Sequence, residues 1–559
     1  MRNLAIGLIM VSLLFLMPAE AAAQNQPPVI SITTLNWFPM DYQTATVLNT
    51  QLTSVGLRVQ LIEEGSAELY PQVYSQHNFT TYVNAWAQVP FPNNMFSFWQ
   101  TWNDYKSGNN IYGFHNSTMD QLTNATQFAP SQAEFLKGLY KMQQVVQQQV
   151  VVIPLFTDIN TQLVSTGYTG YVPMPGGEFT LYNIGTTLNL QPSSGASNGT
   201  FTIALPSDIQ TTNWFNTINL RDEYFLSLIY DSLLRYSPKM DLIPWLASNY
   251  TISPNGLTYS FNLRSNVTFH DGTPLTAQDV AFTYMWALQN KAPYVYPYIS
   301  MIQSVDTPSN YAVVFHLSKP YPGLIYEMAV IPIVAKHIWQ GQNVTFTNPN
   351  PVGSGPFMWH QRVAGSSIEL VANPQYWMKG YPKLGQLNFI VVADESIRIL
   401  DIEKGVADAE LYATPPNLAT QAVASYSSSL RVIQSPDLWS VWLMFNLRQA
   451  PVNNLALRQA IAYAINRTQI IQSVLNGYGY PQDGPLSPQW NPSMIPPNLT
   501  TYPYNPSLAR SILMQNGFLA QPSSGIPPVM YGFVIVGVAV VILAAGFYLR
   551  SRRRQQSAA

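Results

Sequence analysis

Between Gly256 and Gln289 the hydrophobic period of the chain switches from two to 3.6, and no other feature constrains the fold as tightly. "GLTYSFNLRSNVTF" alternates apolar and polar residues and puts Tyr259, Phe261 and Leu263 on one face, the pattern of a strand. "HDGTP" then supplies turn chemistry, with Asp271 before Gly272 and Pro274 blocking further pairing. Thr276 stands at an N-cap position with Asp279 three residues on, an approximate capping box. Ala281, Met285 and Leu288 follow at i, i+4 and i+7, the spacing of a helix face. The dyad His270-Asp271 therefore lies in a strand-to-helix turn.

Metal chemistry at that dyad would need further ligands at workable spacing. The other histidines (His77, His115, His316, His337, His360) are scattered singly, with no H-x-H or H-x-x-x-H pair. "PVGSGPF", Pro351 to Phe357, has the wrong spacing for a nucleophile elbow. No glycine pattern fits a P-loop or a dinucleotide site. The expectation is a turn in a protein that is not an enzyme, with no cofactor, metal or catalytic residue.

At 559 residues the chain is long enough for two or three domains with sizeable cores. "MRNLAIGLIMVSLLFLMPAEAAAQ" reads as a secretory signal over residues 1–24, or alternatively as an N-terminal anchor. Val529 to Leu549 carries no charge, and about 20 apolar residues span a bilayer as a helix. Arg550, Arg552, Arg553 and Arg554 follow, which predicts a cytoplasmic tail over 550–559 and an outward-facing ectodomain on a single C-terminal membrane helix. Cysteine is absent, so packing alone must hold that ectodomain together. Nine N-x-S/T sequons, from Asn78 to Asn498, fit a glycosylated surface protein of an archaeal type. Charged residues make up 10% against a typical ~25%, and the net charge is -2 with no basic patch before the tail. Nucleic acid is thereby disfavoured as a partner, and an acidic habitat is expected because few carboxylates are there to be protonated.

"YSFNLRSNVTFHDGTPLTAQDVAF" closely resembles the signature of the family 5 (oligopeptide/dipeptide) substrate-binding proteins of ABC importers. Tyr259, Phe261, Leu263, Arg264, Phe269, His270, Asp271, Gly272, Pro274, Thr276 and Asp279 are among the matching positions. "NPVGSGPF" resembles the family's glycine loop, "NPQYWMKGYPKLGQLNFIVVADES" its N-P-x-Y-W segment, and "DIEKGVADAEL" its L-x-x-G-x-x-D, through Gly405 and Asp408. "FNLRQAPVNNLALRQAIAYAINRTQII" and "YPYNPSLARSILMQNGF" continue the likeness in the family's order.

After that helix the family has roughly a further third of the domain to come, whereas here "LAQPSSGIPP" leads straight to the apolar run. The missing part is similar to residues 29 to about 190. "VISITTLNWFPMDYQTATVLNTQLTSVGLRVQLIEE", "YVNAWAQVPFPNNMFSFW", "NNIYGFHNSTMDQL" and "LYKMQQVVQQQVVVIPLF" resemble the family's C-terminal blocks, each present once. A circular permutation accounts for this most simply, the alternative being a remnant of a second binding protein fused to a truncated one. The expected organisation is 25–190 as the displaced C-terminal section, 191–200 as a Ser/Gly linker, and 201–519 as the N-terminal and middle sections. An extra domain falls at about 240–350 and a linker at 520–528. In the permuted fold the strands from residues 30 to 62 must pack beside the helix at 506 to 517.

The resemblance implies a two-lobed periplasmic-binding-protein-like α/β fold with mixed sheets, an extra domain and a hinge that closes on ligand. It also implies capture of an oligopeptide or oligosaccharide by a monomeric binding unit, for a permease whose ATPases are separate chains. A surface sensor or adhesive protein on the same fold is the alternative. Trp86 matches the family tryptophan beside the ligand. Gln88 and Val89 occupy the place where peptide-binding relatives carry an aspartate for the peptide amine, a departure that counts against free peptides because a buried ammonium lacking a counter-charge is costly. Asn213 and Trp214 in "TTNWFN", and Trp439 and Trp442 in "PDLWSVWLMFN", complete the candidate ligand-binding residues.

Overall fold

The computed structural model describes residues 27–520, apart from residues 37, 88, 107, 197, 218 and 491. The expected signal (1–24), membrane helix (529–549) and tail (550–559) lie outside the described residues, as does the expected linker 520–528 beyond its first residue. Among the described residues no helix is long and apolar enough to cross a membrane.

Eleven strands of these residues form one mixed sheet. In chain order they are β1 (Val29–Leu35), β2 (Arg58–Glu64), β3 (Thr81–Ala87), β4 (Val152–Ser165), β5 (Thr200–Leu205), β6 (Phe357–Val363), β7 (Ser367–Ala372), β8 (Gln386–Val391), β9 (Ala409–Glu410), β10 (Leu430–Phe445) and β11 (Gly479–Pro481). Their spatial order is β6-β7-β8-β5-β9-β4-β10-β3-β1-β2, with β11 alongside β4. Pairing is parallel for β1–β2, β1–β3, β5–β8 and β5–β9, and antiparallel elsewhere.

The strands β4 and β10, of 14 and 16 residues, are long enough to serve two lobes. Val152–Thr157 of β4 pairs with Ser440–Met444 of β10, next to β3, β1 and β2 in the smaller lobe. Ile159–Ser165 pairs with Leu430–Pro436 on the larger lobe's side. Between these halves the register slips from Pro436 to Ser440, so both strands bend at one level and the lobes meet there. The amide of Gln482, fully buried, ties the crossing together. Its Oε1 accepts from Thr157 Oγ1 on β4 at 2.8 Å and from Ser440 Oγ on β10 at 2.6 Å.

The smaller lobe packs its helices on this sheet through one apolar core. Pro39 opens the helix Pro39–Ser54, and Ala45, Leu48 and Leu52 at i, i+3 and i+7 give it a buried face. That face shares a core with Ile30 and Ile32 of β1, with Leu457 and Ile461, and with Ala509 and Leu513 of the helix Pro506–Gln515. Leu519 reaches Gly56, where an added Cβ would lie 3.1 Å from it. Segments from the two ends of the described chain thus fill one interior.

A separate antiparallel sheet runs in the order Ala247–Ile252, Thr258–Leu263, Ala312–Leu317, Ile302–Ser309. Its helix Ala277–Gln289 begins in a complete capping box of Thr276 and Asp279. The preceding turn is closed by a bridge between Thr268 and Pro274, with Gly272 at φ 85°. Asp271 accepts from Thr273 N–H at 3.0 Å and meets His337 Nε2 at 2.7 Å. No group of three or more His, Asp or Glu that could hold a metal occurs among the described residues.

Candidate functional site

At the level where β4 and β10 bend, a cavity of about 440 Å³ opens between the crossing and the larger lobe. Its floor is Asn160 of β4 with Asp437 and Trp439 of the slipped segment of β10. Leu411 and Tyr412, directly after β9, form one wall, Arg221 near the start of the helix Leu220–Ile229 another, and Phe179 to Tyr182 a third. Tyr412 and Trp439 are 45% and 41% exposed, large aromatic faces left open inside a concave site.

Several contacts keep this shape. Trp490, buried, donates its indole N–H to the Asp437 carbonyl at 2.7 Å, fixing the slipped segment. Gly176 sits at φ 90° against that ring, where a Cβ would come within 3.0 Å of it, so both conformation and space require glycine. Arg398 and Glu410, both buried, pair at 3.1 Å, and Glu410 also accepts from Thr414 Oγ1 at 2.6 Å, which anchors the strand end that presents Tyr412.

The electrostatics are set by burial. Asp158, at the bend of β4, has its carboxyl pushed up to about 7 by burial, with the neighbouring Asp437 adding to it. Arg221 donates to Asp222 Oδ1 at 3.2 Å and to Ser207 Oγ, while Asp222 accepts from the backbone N–H groups of Gln210 and Thr211 at 2.9 and 3.1 Å. A second cavity, of about 320 Å³, shares Leu181 and Tyr182 as walls, and the smaller lobe contributes Val89, Pro90 and Phe91 to it. A larger cavity, about 560 Å³, lies elsewhere on the larger lobe, around Gln210 to Thr212 and Trp359 to Arg362, and takes no wall from the smaller lobe.

The sequence candidates separate. Trp439 lies in the cleft. Trp86, half-buried at the end of β3, packs on Phe98 at 4.6 Å and borders a gap of only about 20 Å³. Trp442 borders the same gap but is buried and donates to Ser440 Oγ at 2.7 Å. Asn213 is buried, its side chain capping the turn at Phe215 N and donating to the carbonyls of Val344 and Phe346. Trp214 lines the second cavity. Gln88 lies outside the described residues. Tyr412, Tyr182 and Glu223 were not candidates in the sequence. Tyr412 follows the L-x-x-G-x-x-D resemblance by a few residues, and that proximity is the one signal that could have pointed to it.

The model of the bacterial extracellular solute-binding proteins, family 5 (middle), matches residues 241–540. A putative ABC transporter peptide-binding protein of Brucella ovis is 29% identical over 302 residues, covering 53% of this chain and 56% of that protein. Glutathione-binding protein GsiB of Pectobacterium atrosepticum is 28% identical over 297 residues, 52% of this chain and 55% of that one. The chain thus spans about half the length of the curated relatives it matches. Among solved structures, NikZ of Campylobacter jejuni in complex with Ni(L-His) is 25% identical, covers 57% of this chain and 63% of its own, and has a TM-score of 0.45. With more than half of its residues inside the family match, and a two-lobed α/β fold around a mixed sheet, the chain belongs to family 5 of the extracellular solute-binding proteins.

Proposed function

We propose that this chain captures an oligopeptide or oligosaccharide in the interlobe cleft and delivers it to the permease of an ABC importer, whose ATPases are separate chains. The observation that carries this reading is the cavity at the bend of β4 and β10, with Tyr412 and Trp439 exposed inside it. Two lobes joined by strands that bend at one level can close over a bound solute, and closure then presents a different surface to a partner. Open aromatic faces suit both sugar rings and peptide side chains.

The ectodomain reading places this unit at the cell surface of an archaeon, carried by the C-terminal membrane helix and glycosylated at its sequons. Circular permutation is part of the same proposal. It is supported by the packing of β1 and the helix Pro39–Ser54 with the helix Pro506–Gln515. It is also supported by β4, which belongs to the displaced section and yet lies in the middle of the sheet, between β9 and β10. A remnant of a second protein would not be required to complete the first one's sheet.

The test is a thermal-shift screen of the full chain against a degenerate tetrapeptide library and a maltooligosaccharide mixture. A bound ligand raises stability by RT ln(1 + [L]/Kd), about 2.7 kcal/mol at a hundredfold excess over Kd. Stabilisation by neither mixture overturns the reading.

A further inference from the structure

Two side-chain amides stand on one face of β4, two residues apart, and only one of them is satisfied. Gln162 accepts from the Glu178 N–H at 3.1 Å and donates to the Glu410 and Leu411 carbonyls, both at 3.3 Å. Asn160, which lines the cavity of about 440 Å³, is only 7% exposed, and its Oδ1 meets no donor. Ser435 lies directly across the ladder on β10, so its side chain shares that face, and its buried Oγ also has no partner. Thr180 Oγ1, in the wall formed by Phe179 to Tyr182, is a third buried oxygen left unpaired. The turn over Asn160 is shaped to its carboxamide: Gly177 has φ 101°, and a Cβ there would lie 2.8 Å from Asn160 Nδ2.

A buried polar atom without a partner costs stability, and a ligand that brings hydroxyls relieves several such atoms at once. Charge at the cavity points the same way. Among its described lining residues there is one cation, Arg221, and one carboxylate, Asp437, with no lysine or histidine. Arg221 is buried and already donates to Asp222 Oδ1 at 3.2 Å, so the carboxylate of a free peptide would find no uncommitted cation there. Beside these neutral groups stand the open faces of Tyr412 and Trp439. An aromatic face takes the apolar C–H side of a sugar ring, while the edge of that ring presents hydroxyls that both donate and accept.

We propose that the cleft is specific for a neutral oligosaccharide and that Asn160 and Thr180 are the residues that read its hydroxyls. One ring lies on Trp439, with Asn160 Oδ1 accepting from one hydroxyl and Thr180 Oγ1 donating to another. Tyr412 offers a face to a second ring, and Ser435 adds a hydroxyl beside Asn160. The inference rests on the cleft being the solute site, and it selects the sugar over the peptide within that reading.

The proposal is tested by isothermal titration of the full chain with three probes: the maltooligosaccharide mixture, its permethylated counterpart and the tetrapeptide library. The expected result is that the sugars bind, and that permethylation, which removes every hydroxyl donor, weakens binding about tenfold or more. In the Asn160→Leu, Thr180→Val double variant the sugar affinity should fall by a similar factor. The ligand-free melting temperature of that variant should stay level or rise, because unpaired oxygens give way to apolar groups. A ligand-free melting temperature that falls by several degrees gives these side chains a structural role and overturns the proposal, as does unchanged sugar affinity in the variant. Equal binding of the sugars and their permethylated forms, or peptide binding as tight as sugar binding, overturns the sugar assignment and leaves the cleft as the solute site. Binding of none of the three overturns both. The permethylated probe makes the test independent of how the variant folds.

Discussion

Gly353 donates its backbone N–H to Nδ1 of His270 at 3.3 Å, and the His270 N–H returns to the Gly353 carbonyl at 2.8 Å. Nε2 of the same ring reaches the Gly355 carbonyl at 3.0 Å, so the neutral tautomer with its proton on Nε2 satisfies all three contacts. The glycine loop can approach this closely only without side chains, since a Cβ at Gly353 would lie 2.0 Å from the Ile229 carbonyl oxygen. The imidazole joins the turn that follows the strand Thr258–Leu263 to the glycine loop just before β6. His270→Ala leaves the Gly353 N–H unpaired, at ~1–3 kcal/mol, while the Gly355 carbonyl keeps the Asn373 amide at 3.0 Å, and lowers stability by about 2 kcal/mol in urea denaturation. A loss below about 1 kcal/mol would show that the ring is not a clamp.

Stability should rise as the pH falls from 8 to 5. Burial holds the carboxyls of Asp41 and Glu178 up at about 8, Asp158 at about 7 and Asp408 at about 6. A carboxyl raised in the folded state stabilises fully below its unfolded value near 4 and loses that contribution as the pH climbs through the folded value. His270 runs the other way: burial lowers it to about 4, so its contribution is present above about 6.5 and is lost toward pH 4. Four carboxyls outweigh one imidazole over this window. The melting temperature is therefore expected to be higher at pH 5 than at pH 8. Asp41→Asn should raise it at pH 8 and leave it unchanged at pH 4. A maximum at pH 8 would contradict this.

Arg398→Met should cost about 3–5 kcal/mol, because it strands the buried Glu410 carboxylate without its partner. Adding Glu410→Gln to that background should restore part of the loss, as the charge goes with the cation. A double variant no better than the single one would place the cost in lost packing around the Arg398 stem instead. Chemical denaturation reads both.

Trp439 and Trp442 should respond in opposite ways to alanine. Trp439→Ala, like Tyr412→Ala, removes an exposed face in the cleft and should weaken binding of the stabilising probe by about tenfold, with little change in melting temperature. Trp442→Ala opens the core and should cost about 3–5 kcal/mol. Unchanged affinity in both cleft variants would remove Tyr412 and Trp439 from the site.

This contrast was partly readable in the sequence. Residues three apart in a strand point to opposite faces, so "WSVW" could present only one of its tryptophans to a cleft. The strand, turn and capping box around His270 were readable for a similar reason, since each depends on residues within a few positions of one another. Asn213 was ambiguous because an asparagine that caps a turn looks the same in sequence as one that binds a sugar. Glu223 and Tyr182 carried no local signal, and Tyr412 only its nearness to Gly405 and Asp408. They come from three distant segments, which the order of strands in the sheet brings to two cavities that share Tyr182 as a wall.

The interior shared by Ile32, Leu48 and Leu513 also has a consequence for how the chain comes into being. During synthesis, at roughly 5–20 residues per second, β1 and the helix after it emerge on the order of half a minute before the helix that buries them. In that interval β3 has no β10 to pair with, and the apolar faces of β1 and the helix Pro39–Ser54 lack their cover. Contacts this remote along the backbone also make folding slow. A nascent chain of this order therefore depends on holding its first hundred residues out of aggregates until its last segment arrives.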